Sequence, residues 1–174
     1  LLGRNKFSRE KLEFDLEILR NFYFNQGFLE FRISSNEVTI SSNKEDVEIT
    51  IVLDEGGRYR MGRIAVDGTV ELPAEEARKL LLVQEGMIFS RRAVIDSQLA
   101  IEKRLADEGY AFASVNPIPD LDRANRIVSL AFAIDPGRKV HVRRIEITGN
   151  ANTQDIVIRR EMRQLEGALY KYKN

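Results

Sequence analysis

Apolar positions along residues 8 to 23 fall at Leu12, Leu16, Leu19 and Tyr23, a spacing of i, i+4, i+7 and i+11. That spacing makes one stripe of an amphipathic helix, opening at Ser8. The pattern then changes to period two. Leu29 to Ser41 and Glu45 to Leu53 read as paired strands, with Ser42-Asn43 at their turn and Val47, Ile49, Ile51 and Leu53 alternating. Arg58 to Val66 reads as a third strand with a change of parity. Tyr59 and Met61 share a face, and Ile64 and Val66 rejoin it one residue out of step. An inserted residue does this, so a bulge is expected near Gly62. Pro73 to Leu81 reads as a short helix, with Pro73 tolerated in its first turn and Ala77, Leu80 and Leu81 facing inward. Phe89-Ser90 reads as a staple residue and N-cap of a longer helix ending at Gly109. Ala111 to Ile118 and Arg126 to Ile134 read as strands around a turn at Asp122 to Asn125, with Val128, Leu130, Phe132 and Ile134 on one face.

The elements recur. Gly56 to Gly68 aligns with Gly137 to Gly149 at an offset of 81 residues without a gap, and the match extends to Glu85-Gly86 against Glu166-Gly167. Val140 and Val142, then Ile145 and Ile147, repeat the parity change near Arg143, and Thr153 is the expected N-cap of a helix with Asp155 in its first turn. Phe7-Ser8-Arg9 aligns with Phe89-Ser90-Arg91, and Gly27-Phe28 with Gly109-Tyr110, at 82; after a one-residue slip Val47, Ile49, Ile51 and Leu53 meet Val128, Leu130, Phe132 and Ile134 at 81. The repeating unit is therefore Gly56 to Pro136, in the order β-α-α-β-β. Residues 1 to 55 carry the later part of one unit and residues 137 to 174 the start of another, so the chain reads as a cut from a longer array. The expected class is α+β, with two helices on one face of a three-stranded mixed sheet in each unit.

Composition narrows the function. With no cysteine, disulfides, thiolate metal sites and a cysteine nucleophile have no residues to use, and the single histidine, His141, leaves little for a zinc site or a triad. Gly57, Gly62 and Arg63 brush a phosphate-loop pattern but lack its Lys and Ser/Thr, and they fall in a strand. No catalytic, cofactor or metal role is assigned to any residue. No apolar run is long enough for a membrane-spanning helix, and no signal peptide is expected at the N-terminus. The zero net charge hides an asymmetry. Residues 138 to 174 carry nine bases and four acids, a surplus of +5 that leaves −5 on the rest. A basic segment raises the possibility of a nucleic-acid reader, but Tyr170 and Tyr172 lie beyond the expected strands, so no nucleic-acid partner is expected.

Tandem β-α-α-β-β units of this length resemble POTRA domains of the Omp85 family. The specific segment is Val142-Arg143-Arg144-Ile145-Glu146-Ile147-Thr148-Gly149-Asn150, followed by Arg159-Arg160-Glu161-Met162-Arg163-Gln164-Leu165-Glu166-Gly167. It resembles the start of the fifth, barrel-proximal POTRA domain of the family's outer-membrane assembly members. By order, residues 56–136 are then fourth-like and complete, residues 1–55 the C-terminal part of a third-like domain, and residues 137–174 the N-terminal part of a fifth-like one.

The resemblance implies a periplasmic scaffold on the outer membrane, chaperone-like, whose partners are accessory lipoproteins, BamD-like above all, and unfolded outer-membrane proteins. Membrane contact would come only through a C-terminal barrel that this stretch lacks. The alternative is the POTRA array of a two-partner secretion or translocation transporter. The resemblance places Glu166 in the lipoprotein contact, with Leu165 where the family motif has methionine, and Arg159, Arg160 and Arg163 in or near the same surface. A charge-assisted contact to a basic partner residue fits Glu166; the plainer alternatives are a helix-end cap or solvated charge for Glu166, and for Arg159, Arg160 and Arg163 a solvated helix face forming i,i+3 or i,i+4 pairs with Glu161 or Asp155. The family's strand-pairing edge maps to Leu29, Phe31, Arg32, Ile33, Val38 and Ile40. An open edge holds an extended client through its backbone, with little demand on sequence, and Glu30, Arg32, Asn36 and Glu37 stand as its polar guards.

Overall fold

A computed structural model describes residues 8–42 and 46–170. Phe7, the turn residue Asn43, and Tyr172 lie outside the described residues. The elements run α1 (Arg9–Asn25), β1 (Arg32–Ile40), β2 (Val47–Asp54), β3 (Arg60–Val66), α2 (Ala74–Arg78), α3 (Arg91–Ala106), β4 (Ser114–Asp122), β5 (Ile127–Asp135) and α4 (Asp155–Glu161). Strands β1 and β2 form a two-stranded antiparallel sheet, and β3, β5 and β4 form a three-stranded sheet in that order.

The three-stranded sheet is mixed. Arg60 N–H donates to Arg126 O and Asp67 N–H to Phe132 O, so β3 runs parallel to β5. Between those two bonds β3 spends one residue more than β5, which is the bulge that the parity change required. Gly62 lies between those two bonds, where β5 comes close. A Cβ there would lie 2.5 Å from Ile127 Cγ2 and 2.6 Å from Ser129 Oγ.

The chain divides into two compact units: Leu1–Arg63 with Val83–Ala93 and Asp120–Ser129, and Ile64–Leu82 with Val94–Pro119 and Leu130–Asn174. The first unit has its core at Leu16, Phe31, Tyr59, Met61, Val83, Phe89 and Val128. The second has Val66, Leu72, Ala77, Ile101, Leu105, Val115 and Phe132 buried together with Ser97, whose hydroxyl accepts Leu82 N–H at 2.8 Å.

Each unit joins the end of one repeat to the start of the next through the same junction. Tyr59 N–H donates to Gly27 O at 2.8 Å in the first, and Val140 N–H to Gly109 O at 2.8 Å in the second. Beside these bonds lie the isolated bridges Arg60 to Ile88 and His141 to Leu169. The acceptor glycines have φ of +95° and +98°, where an L side chain is strained.

Several expected bounds move. The first strand starts at Arg32, not Leu29, because Leu29 and Phe31 N–H groups turn back to Gly27 O and Phe28 O. The helix expected over Pro73 to Leu81 is confined to Ala74–Arg78. Pro73, at φ −58° and ψ 145°, is its N-cap rather than its first turn. Helix α3 ends at Ala106, three residues before Gly109. Its N-cap is as expected, since Ser90 Oγ accepts Ala93 N–H at 3.3 Å. Strand β4 begins later and runs further than Ala111 to Ile118. The cap of α4 is Gln154, extended at φ −65° and ψ 141°; Thr153 instead offers its carbonyl to the Asn150 amide. Residues 139 to 147, which repeat the strand expected over Arg58 to Val66, form no strand; backbone bonds at Val140 and Val142 and the isolated bridge at His141 hold their start. A strand is held by pairing, and β3 has β5 beside it.

Candidate interaction surfaces

The first surface is the outer edge of β1. The register pairs Ile40 with Val47, Val38 with Ile49 and Asn36 with Ile51, and shifts between Ile33 and Ser35. Ser34 is therefore an extra residue. It explains how Ile33 and Val38, an odd number of residues apart, reach one face, opposite Leu53 and Ile49. Ser41 N–H donates to Asp46 O at 3.0 Å, which marks Ser41 and Asp46 as a hydrogen-bonded pair. Antiparallel pairs alternate in hydrogen bonding. Thr39, Glu37 and Ser35 therefore point their backbone groups at β2. Ile40, Val38 and Asn36 point theirs away, toward the side where the two-stranded sheet has no further strand among the described residues.

The six residues expected at this edge divide accordingly. Val38 and Ile40 carry outward backbone donors. Ile33 and Arg32 lie on the other side of the bulge, and Leu29 and Phe31 precede the strand. Phe31 is a core residue, 5% exposed and stacked on Tyr23 with ring centroids 4.1 Å apart. Arg32 reaches across to Asp54 at 2.9 Å, and this bond, more than its charge, holds the Asp54 carboxyl below its ordinary value. Glu30 receives Arg123 Nε at 3.1 Å. Asn36, the donor that the list of edge residues missed, could have been found from the odd Ile33-to-Val38 spacing and from the slip between the 82- and 81-residue offsets.

The second surface surrounds α4. Arg159 is its hub: Nε donates to Asp155 at 2.5 Å, Nη1 to Glu166 at 2.9 Å and Nη2 to the Ile145 carbonyl at 2.6 Å. Glu166 Oε1 also accepts Ile145 N–H at 2.8 Å. The carboxyl is thereby held below its ordinary value, first by the Ile145 N–H and then by Arg159. Arg159 is held above its own, first by Asp155 and then by Glu166. The expected Arg159–Asp155 pair is present. Glu166 and Arg159 belong to one internal network, yet keep 44% and 37% of their side chains exposed. Ile145, Arg159, Met162, Gln164, Leu165 and Glu166 line a hollow of about 360 Å³. Arg160 lies on the outside, 3.7 Å from Glu161, and Arg163 is exposed. Among the described residues no group of His, Cys, Asp and Glu could hold a metal ion, and no helix is long and apolar enough to cross a membrane.

The POTRA family model, described as a surface antigen variable number repeat, matches residues 3–56 and 59–137. The outer membrane protein assembly factor BamA of Neisseria meningitidis is 37% identical over 173 residues, which is 98% of this chain and 22% of that protein. BamA of Buchnera aphidicola is 31% identical over 173 residues, 99% of this chain and 28% of that protein. The crystal structure of Haemophilus influenzae BamA POTRA3-5 superposes with a TM-score of 0.80 at 33% identity, covering 96% of this chain and 66% of that one. The chain thus spans about a quarter of the length of these curated relatives. Two consecutive family matches over most of the residues, on a β-α-α-β-β repeat with a mixed sheet, place the chain in the POTRA family.

Proposed function

We propose that this chain is a periplasmic scaffold segment of the machinery that assembles β-barrels into the bacterial outer membrane. It holds unfolded barrel proteins by strand addition at β1 and meets an accessory lipoprotein, BamD-like, at the α4 surface. Likeness to BamA over 98% of the chain supports the setting. The module boundaries that go with this reading are 1–55, 56–136 and 137–174.

The observation that carries strand addition is the row of outward donors at Asn36, Val38 and Ile40. An unfolded barrel strand alternates apolar and polar residues and lacks a partner for its backbone. Pairing along β1 satisfies that backbone whatever the side chains are. The replacement Val38→Pro removes one outward N–H and leaves the β1–β2 ladder untouched. Photo-crosslinking of an alternating barrel-strand peptide to β1 should fall several-fold, at roughly 1 kcal/mol per lost hydrogen bond. Labelling equal to wild type would overturn strand addition here.

At α4 the exposed groups facing a partner are Arg160 and Arg163, backed by the half-exposed Glu166. Because Glu166 is tied to Ile145, its charge reversal would disturb the fold as well as the surface. Arg163→Glu avoids that. It should reduce co-purification of the lipoprotein while the Ile145 amide signal stays in place; full recovery of the lipoprotein would remove Arg163 from the contact.

A further inference from the structure

The complete module has its own sheet edge, β4, equivalent by position to β1. We infer that this edge is closed, so that Pro117, Pro119 and Glu102 confine strand addition to β1. The inference rests on the strand-addition reading above.

On β5, Arg126 and Phe132 turn their carbonyls to β3. Backbone groups alternate sides along a strand, so Ile127, Ser129 and Ala131 face β4. The ladder between β4 and β5 then uses every second β4 residue. Proline has no N–H to give a ladder, so Pro117 and Pro119 occupy the alternate, outward positions. Val115 confirms the phase. Its N–H leaves the sheet and donates to Glu102 Oε1 of α3 at 3.0 Å. The same oxygen accepts Gln98 Nε2 at 2.9 Å, which fixes the carboxylate from one turn away. Three successive outward positions of β4 thus offer an incoming strand nothing to accept: one donor is taken and two do not exist. The proline rings also occupy the space where a partner carbonyl would approach.

The repeat shows that this is a difference between the copies and not a property of the fold. At the 81-residue offset, Pro117 and Pro119 fall on Asn36 and Val38, two of the outward donors of β1. At the 82-residue offset of the helices, Glu102 falls on Arg20. Arg20 is itself a donor, paired with Glu17, and has no lone pair with which to cover a strand amide. One copy therefore has all three closing groups, and the other has none of them.

The test uses the full chain and a synthetic alternating peptide of about ten residues carrying a photo-crosslinker, the length of a barrel strand. Labelled sites are mapped by mass spectrometry. The wild type should label at β1 and not at β4. Pro117→Val/Pro119→Val restores two donors, and labelling at β4 should rise about tenfold; Glu102→Ala should add to the rise. Asn36→Pro/Val38→Pro moves the closed pattern to β1 and should abolish labelling there without loss of the thermal transition. This arm keeps the inference testable where the β4 variants fold poorly. Wild-type labelling of β4 equal to that of β1 overturns the closure and leaves strand addition standing. A folded Pro117→Val/Pro119→Val variant with no gain at β4 also overturns it, as does persistent labelling of Asn36→Pro/Val38→Pro. Absence of β1 labelling in the wild type, with a gain at β4 in the opened variant, overturns the strand-addition reading and upholds the closure.

Discussion

Strands β2 and β5 carry the same alternation and have different fates. Val128, Leu130 and Phe132 of β5 are 0%, 4% and 0% exposed, while their repeat mates Val47, Ile49 and Ile51 of β2 are 40%, 41% and 36% exposed. The side chains are alike, so the difference lies in what surrounds them. β5 is the central strand of three, with β3 on one side and β4 on the other, while among the described residues β2 has β1 alone. An alternating pattern states which face a strand will bury. Neighbouring elements decide how much of that face leaves water.

The largest expected effect tests this division. Phe132→Ala removes a fully buried ring and should cost about 3–5 kcal/mol of unfolding free energy. Ile51→Ala, its repeat mate, should cost about 1 kcal/mol, because a good part of the side chain is already hydrated. Denaturant unfolding followed by circular dichroism measures both. Comparable losses would show that the β1–β2 sheet buries its apolar face in solution and would abolish the contrast.

The repeat was legible because period-two and helical patterns are local and survive translation by 81 or 82 residues. The slip between those offsets has a physical identity, the extra residue Ser34 in β1. The bulge in β3 was equally readable, from the parity change between Met61 and Ile64. What the pattern could not supply was pairing. Residues 139 to 147 match β3 in sequence, yet only His141 bridges, since a strand also needs a partner. At the α4 surface the Arg159–Asp155 pair follows from i,i+4 spacing. The bonds of Arg159 and Glu166 to Ile145 join residues 14 and 21 positions apart, beyond any local rule. The closure of β4 lay half in view: two prolines in a strand mark an edge, whereas Glu102 reaching Val115 depends on how α3 lies along β4.

The smallest expected effect sharpens the contrast between the complete copy and the one that follows it. In the complete copy β5 pairs with the first strand, and in the next copy a side chain, Glu166, holds the equivalent segment at the Ile145 N–H. Its carboxyl titrates below the ordinary 4.5 because the charged form accepts from Ile145 and Arg159. A carboxyl with a lowered folded value stabilises above its unfolded value, and that contribution disappears as pH falls through the folded one. Acidification from about pH 5 toward about pH 3 should therefore move the Ile145 amide resonance in the wild type, with a midpoint below that of a free glutamate. Glu166→Gln keeps an acceptor for Ile145 but has no proton to gain, so its Ile145 resonance should stay level over the same range. Equal titration of Ile145 in both proteins would assign the shift to another acid, and would leave the segment held by Arg159 and the His141 bridge.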